Sequence, residues 1–348
     1  MQMKRIILFS ALSILFIASL ILNFYLWMKP INPVKPKSNI ITFSNANSRD
    51  TYFTLHNVRA AHLLSTGRGV KVGITDCFFG YAKYSNLYEG AVNFTQDQRA
   101  LDGEGHGFWM ANTLREIAPD CDIYALCVDF GDEGKKADNM VAAIDWAIEN
   151  NIDILTYSSS SFSEKNRPKI DEAADKAVQH GIVTTFIHYD NPNNLFPGGF
   201  SEFSEGNRET DVNILHYDYN VIMQERYEKF AGLKGDYSQI KSGDDIPFLS
   251  MSSTSPVLAG FVAILKAIKP DLSPGDYKDI LMKTSYRTEY YDWGWGRYWS
   301  VPRAVDIARA AAYAISLRST EIKQENENTS SSVPSAPAIS GGKTPNPS

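Results

Sequence analysis

Four short apolar runs, each separated from the next by helical sequence, constrain the fold of this chain more than any other feature. VKVGIT (70–75), DIYALCV (122–128), IDILTY (152–157) and IVTTFI (182–187) are mostly apolar rather than strictly alternating. That is the pattern of strands buried on both faces. Between Ala137 and Asn150 the residues Val141, Ile144, Ala147 and Ile148 recur at helical spacing, and 168–180 reads as a helix opened by Pro168. Ser255 to Ile268 is helical, with Pro256 tolerated in its first turn and Leu258, Phe261, Val262 and Leu265 on one apolar face. Ser273 caps a further helix that Pro274 opens and that runs to about Thr284. Such strands alternating with helices make a parallel sheet. Ligands meet parallel sheets at the carboxyl ends of the strands. Here those ends are Asp76, Ser158–Ser161 and Tyr189–Asn191.

Composition narrows the functional classes. Apolar residues at 43 % and aromatics at 12 % exclude a chain disordered throughout. With 34 Lys+Arg against 40 Asp+Glu the net charge is -6, and no basic block occurs. This argues against nucleic acid as the main partner. Three cysteines, Cys77, Cys121 and Cys127, are too few for a disulfide scaffold and lack the spacing of a zinc site. Spacing leaves open whether Cys121 and Cys127 are free or paired.

Ile6 to Met28 carries no charge. As a helix it would be about 34 Å long, against a hydrocarbon core of roughly 30 Å. Residues 1–28 therefore read as a single transmembrane helix, with a cleaved signal segment as the alternative. Tyr25 and Trp27 fall where an interfacial aromatic belt would lie. The expected topology has the short N-terminus inside and the bulk of the chain outside the cytoplasm, or secreted if the segment is cleaved. Residues 29–50, with Pro30, Pro33 and Pro36, read as a linker. Residues 51–318 are long enough for one large α/β domain. Residues 319–348, rich in Ser and Pro and without an aromatic, read as a disordered tail.

Three side chains in the central part suit one another chemically. Asp76 ends its strand, His106 lies between Gly105 and Gly107 at the start of a helical stretch, and Ser252 sits in SMSSTSP (250–256) before the apolar helix. A serine hydroxyl becomes a nucleophile at neutral pH only with a base to take its proton and a carboxylate to orient that base. A helix N-terminus beside the serine offers free N–H groups to a developing oxyanion.

With these pieces in order, the segment from about Tyr52 to Ala312 resembles the subtilisin-like serine peptidases, the subtilase family. TGRGVKVGITD (66–76), DGEGHGF (102–108) and SSTSPVLAG (252–260) resemble its Asp, His and Ser motifs. NIDILTYSSSS (151–161) and GIVTTFIHYD (181–190) resemble the two strands beside the substrate cleft. The resemblance implies a three-layer αβα fold around a mostly parallel sheet, a polypeptide substrate, and an Asp76–His106–Ser252 triad working through an acyl-enzyme. It implies cleft walls at Ser158, Ser159 and Ser160 and at Ile187, His188 and Tyr189, and an oxyanion site at Asp190 and Asn191. No cofactor is implied for the chemistry. Many relatives bind calcium, but a set of roughly six to eight oxygen ligands cannot be assigned in this sequence.

The chain departs from the family pattern at several points. Cys77, Phe78 and Phe79 follow the aspartate where the family has small residues and a glycine, and Phe108 replaces a small hydroxyl residue. Ile187, His188 and Tyr189 are bulky for a cleft wall and disfavour a large P1 side chain. Asp190 stands at the oxyanion asparagine, with Asn191 next to it. An ionised Asp190 would repel the oxyanion, and losing one donor costs on the order of 10²–10³ in kcat. The rival reading is a weakly active or inactive binding protein on the same fold.

Overall fold

Parallel strands form the middle layer, as the apolar runs require. The computed structural model describes residues 40–41, 53–129, 131–158, 162–187, 197–199, 212–214, 251–292 and 297–331. The strands are β1 (Ile40–Ile41), β2 (Lys71–Asp76), β3 (Gly90–Asn93), β4 (Asp122–Cys127), β5 (Ile154–Tyr157), β6 (Val183–Phe186), β7 (Pro197–Gly199), β8 (Val212–Ile214), β9 (Tyr286–Asp292) and β10 (Arg297–Ala304). The main sheet has the order β3-β4-β2-β5-β6, every neighbour parallel. The longer helices are α1 (His106–Ile117), α2 (Glu133–Glu149), α3 (Arg167–Gln179), α4 (Thr254–Ile268), α5 (Pro274–Thr284) and α6 (Ile307–Ser331).

Alternation along the strands sorts the core into two clusters. Val72, Ile74, Ala125, Ile154 and Val183 pack with residues of α1 and α4. Leu126, Leu155, Tyr157 and Phe186 pack with residues of α2 and α3 on the opposite face. The result is the expected three-layer αβα arrangement. Almost all of α4 is buried, which suits a helix apolar around most of its circumference. Side-chain caps set the other starts: Asp132 accepts the Lys135 N–H at the head of α2, and Ser273 and Asp276 form a capping box on α5.

A second sheet, order β1-β9-β10-β8-β7, was not foreseen. β9 and β10 form an antiparallel hairpin, and β1 pairs with β9 in parallel. The linker expected over 29–50 is thus interrupted, because Ile40 and Ile41 are β-branched residues that suit a strand and find a partner edge. The tail boundary at 318 also moves. α6 continues to Ser331, and Glu321, Lys323, Gln324 and Glu325 are good helix formers. Residues 332–348 lie outside the described residues, as do 1–28. Among the described residues, no helix is long and apolar enough to cross a membrane.

α1 and α4 touch at Gly260. A Cβ there would lie 2.5 Å from Ile117 Cγ2 and 2.7 Å from Ile117 Cβ. The close approach sets the spacing of the two helices that begin near His106 and Ser252. Gly260→Ala is expected to destabilise the protein by about 1–3 kcal/mol through overpacking, read as a lower denaturant midpoint at unchanged m-value.

Candidate active site

Asp76 ends β2, the middle strand of the sheet, and is buried. One carboxylate oxygen, Oδ1, accepts the Cys77 N–H at 2.8 Å. The other, Oδ2, lies 2.6 Å from His106 Nδ1. An ionised carboxylate only accepts, so Nδ1–H is the donor and Nε2 is left with a lone pair. Burial disfavours the imidazolium, but the Asp76 charge and hydrogen bond together with the Asp129 charge outweigh it, and the His106 pKa lies above its ordinary value.

Backbone contacts explain how the histidine reaches this place. His106 opens α1, and Gly105 before it offers no side-chain cap. The first N–H groups of a helix need outside partners. Gly107 N–H donates to the Cys77 carbonyl at 2.8 Å and Phe108 N–H to the Phe78 carbonyl at 3.1 Å. The turn that follows Asp76 therefore caps the histidine's helix. Phe78 holds a left-handed backbone, φ 60°, a conformation that costs a non-glycine residue about 1–2 kcal/mol. Its own N–H donates to the Ala100 carbonyl at 2.6 Å. A Cβ at Gly103 or Gly105 would come within 2.7 or 2.9 Å of Phe78 side-chain atoms. The bulky replacement noted in the sequence is thus accommodated by glycines on the facing segment. Tyr84 stacks on Phe108 at 4.4 Å, and Trp109 stands edge-on to His106 at 6.3 Å.

Ser252 is half-buried in a short turn, Met251–Ser253, that leads into α4 and contacts α1. Below it, Ser255 Oγ donates to the Tyr157 carbonyl at 3.2 Å, and Thr185 Oγ1 donates to the Ser255 carbonyl at 3.3 Å. These bonds fix the head of α4 over the carboxyl ends of β5 and β6. Of the expected cleft residues, Ser158 is buried just past β5, its Oγ without a hydrogen-bond partner among the described residues. Ile187 is buried just past β6, its N–H donating to the Tyr157 carbonyl at 2.9 Å. Ser159, Ser160, His188, Tyr189, Asp190 and Asn191 lie outside the described residues. The structure thus brings Asp76 and His106 into direct contact and puts Ser252 on the turn beside the histidine's helix.

All three cysteines are buried and free. Burial pushes the thiols of Cys121 and Cys127 up to about 12 and that of Cys77 well above the ordinary range. Among the described residues, no cluster of three or more His, Cys, Asp or Glu side chains is placed to hold a metal ion. One acidic residue escaped the reading of the sequence. Asp129 lies two positions beyond β4, and its N–H, like that of Val128, donates to the Asp76 carbonyl, at 3.3 Å and 2.8 Å. No local pattern signalled it: two consecutive N–H groups on one carbonyl mark the end of the regular strand at Cys127.

Comparison with known proteins points to one family. Residues 45–216 match the model of the Subtilase family, Peptidase_S8. That segment includes Asp76 and His106 and ends before Ser252. Subtilisin DY of Bacillus licheniformis is 25 % identical over 244 residues, 63 % of this chain and 84 % of the relative. An intracellular serine protease of Paenibacillus polymyxa is 24 % identical over 235 residues, 58 % of this chain and 68 % of the relative. Among solved structures, the serine protease MycP1, an essential component of the type VII (ESX-1) secretion system, superposes with a TM-score of 0.53 at 13 % identity, over 78 % of this chain and 90 % of MycP1. A lanthipeptide protease superposes with a TM-score of 0.51 at 15 % identity, over 75 % and 95 %. In its sequence relatives, in the segment 45–216 and in its fold, the chain is similar to the subtilases, the subtilisin-like serine endopeptidases.

Proposed function

We propose that this chain is a membrane-anchored endopeptidase that cleaves polypeptides outside the cytoplasm through a triad of Asp76, His106 and Ser252. The observation that carries the triad is the 2.6 Å bond between Asp76 Oδ2 and His106 Nδ1. It is joined by the position of Ser252 on a turn against the histidine's helix. In this reading His106 Nε2 takes the Ser252 hydroxyl proton as the oxygen attacks the scissile carbonyl. The same ring then gives that proton to the leaving amine, and an acyl-enzyme remains for water to hydrolyse. Asp76 holds the tautomer and stabilises the transient imidazolium. The Ser252 backbone N–H and the residues Asp190 and Asn191 receive the oxyanion, the second donor being a protonated Asp190 or the Asn191 amide. The substrate strand lies between Ser158–Ser160 and Ile187–Tyr189, whose bulk selects a small P1 residue. Anchoring rests on the uncharged run Ile6–Met28, long enough for a bilayer.

A fluorophosphonate probe tests the chemistry. The full chain is expected to be labelled, and Ser252→Ala is expected to lose the label. A folded protein left unlabelled across roughly pH 4–9, the range in which His106 and a perturbed carboxyl titrate, would instead be a binding protein on this fold.

A further inference from the structure

The chain leaves β5 at Tyr157 and enters α3 at Arg167, and α3 packs against α2. We propose that Glu133, the first residue of α2, is a positioning residue for this connection, and through it for the cleft wall that begins at Ser158. The proposal deepens the peptidase reading and rests on it. Asp132 already caps α2 through the Lys135 N–H, so Glu133 is left for another task. Its Oε1 accepts the Ser163 N–H at 2.6 Å and a hydrogen from Asn166 Nδ2 at 3.2 Å. Asn166 is buried and stands at the head of α3. Its Nδ2 also donates to Ser163 Oγ at 3.4 Å. The Ser163 carbonyl accepts the Asn166 and Arg167 N–H groups, both at 2.9 Å. One carboxylate oxygen therefore ties the start of α2 to the turn that opens α3. Hydrogen bonds from Ser163, and after them from Asn166, hold the Glu133 carboxyl below its ordinary range. The acceptor is thus charged at neutral pH, and bonds to a charged acceptor are about twice as strong as neutral ones.

The tie reaches the catalytic turn through Tyr157. The Phe162 ring lies 5.6 Å from that of Tyr157 and within 11° of parallel to it. The Tyr157 carbonyl accepts the Ser255 hydroxyl at 3.2 Å and the Ile187 N–H at 2.9 Å. The connection is pinned at both of its described ends. Tyr157 is held by the head of α4 and the end of β6, and Phe162 to Asn166 are held by the Tyr157 ring and Glu133. A wall set in place before the substrate arrives spares the ordering cost of binding. Glu133 acts on the site through this connection, so its loss is expected to be felt in substrate binding rather than in the reactivity of Ser252.

Glu133 is exposed, and Glu133→Ala is expected to fold as the parent does. In this variant KM for a peptide with several residues on the acyl side is expected to rise about five- to tenfold, with kcat within about twofold of the parent. A fluorophosphonate engages the serine without filling the cleft, and its labelling rate is expected to stay within about twofold. Glu133→Gln keeps an oxygen for the Ser163 N–H and is expected to recover most of the parental KM. Hydrogen exchange over 158–166, followed by mass spectrometry, reads the clamp without turnover. It is expected to quicken in Glu133→Ala and to return toward the parental rate in Glu133→Gln. A parent left unlabelled, in which exchange still quickens with Glu133→Ala, would refute the peptidase reading and keep the clamp. An unchanged KM, unchanged exchange, or labelling that slows as much as kcat/KM falls would each overturn the proposal. So would a lower unfolding midpoint with KM unmoved, the signature of a merely structural Glu133.

Discussion

Asp76→Asn is expected to lower kcat on the order of 10⁴-fold while leaving the fold in place. The asparagine oxygen can still accept the Cys77 N–H that now bonds Asp76 Oδ1 at 2.8 Å. Its amide nitrogen, however, meets His106 Nδ1 as a donor. The ring then holds its proton on Nε2, facing the serine, and cannot act as a base. The imidazolium also loses its nearest opposing charge, so the raised pKa of His106 falls. In the parent enzyme the neutral ring is the base. Activity should therefore rise with pH through a midpoint above the ordinary histidine value, and any residual activity of the variant should rise at lower pH. Steady-state kinetics across pH, with thermal unfolding as a control for folding, measures both effects. Retention of activity within tenfold of the parent would exclude Asp76 from the proposed role.

The second large effect belongs to a histidine remote from the chemistry. His56 is fully buried, its Nδ1–H donating to the Val305 carbonyl at 2.8 Å and its ring 5.4 Å from that of Phe261. Burial lowers its pKa to about 4, against the opposing pull of the carbonyl bond. The unfolded chain binds this proton near pH 6.5, so the sign is fixed. The neutral folded form has its full stability above pH 6.5 and loses it as the pH falls toward 4. The shift corresponds to about 3 kcal/mol in all, a slope of about 1.4 kcal/mol per pH unit within that window. His106, with its raised pKa, acts in the opposite direction and stabilises the acid side. Denaturant midpoints at intervals from pH 7 to 4.5 should fall in the parent. In His56→Gln, which starts from a lower midpoint because the ring packing is lost, they should fall much less. Equal slopes in the two proteins would show that another group governs acid sensitivity.

The central sheet was legible because its strands announce themselves. β2, β4, β5 and β6 coincide with the four apolar runs to within a residue or two, since strands buried on both faces carry little polar sequence. β3 escaped because GAVN is short and only half-buried. The second sheet escaped for a different reason. Ile40 and Ile41 gain strand character only from a partner nearly 250 residues later, and no local pattern encodes a partner that distant. Asp76 and His106 could be read from a strand end and a glycine-flanked helix start. The turn between them could not: a phenylalanine at positive φ contradicts the local preference of the residue, and only the facing Gly103 and Gly105 make room for it.

Three sealed thiols make the protein its own unfolding clock. Cys121 immediately precedes β4 and Cys127 ends it, with Cys77 beside the latter. Reagents that alkylate sulfur can therefore enter only through local opening at one end of the sheet or the other. The order in which the sulfurs are trapped, followed by mass spectrometry without denaturant, would tell whether the catalytic rim breathes before the floor of the molecule.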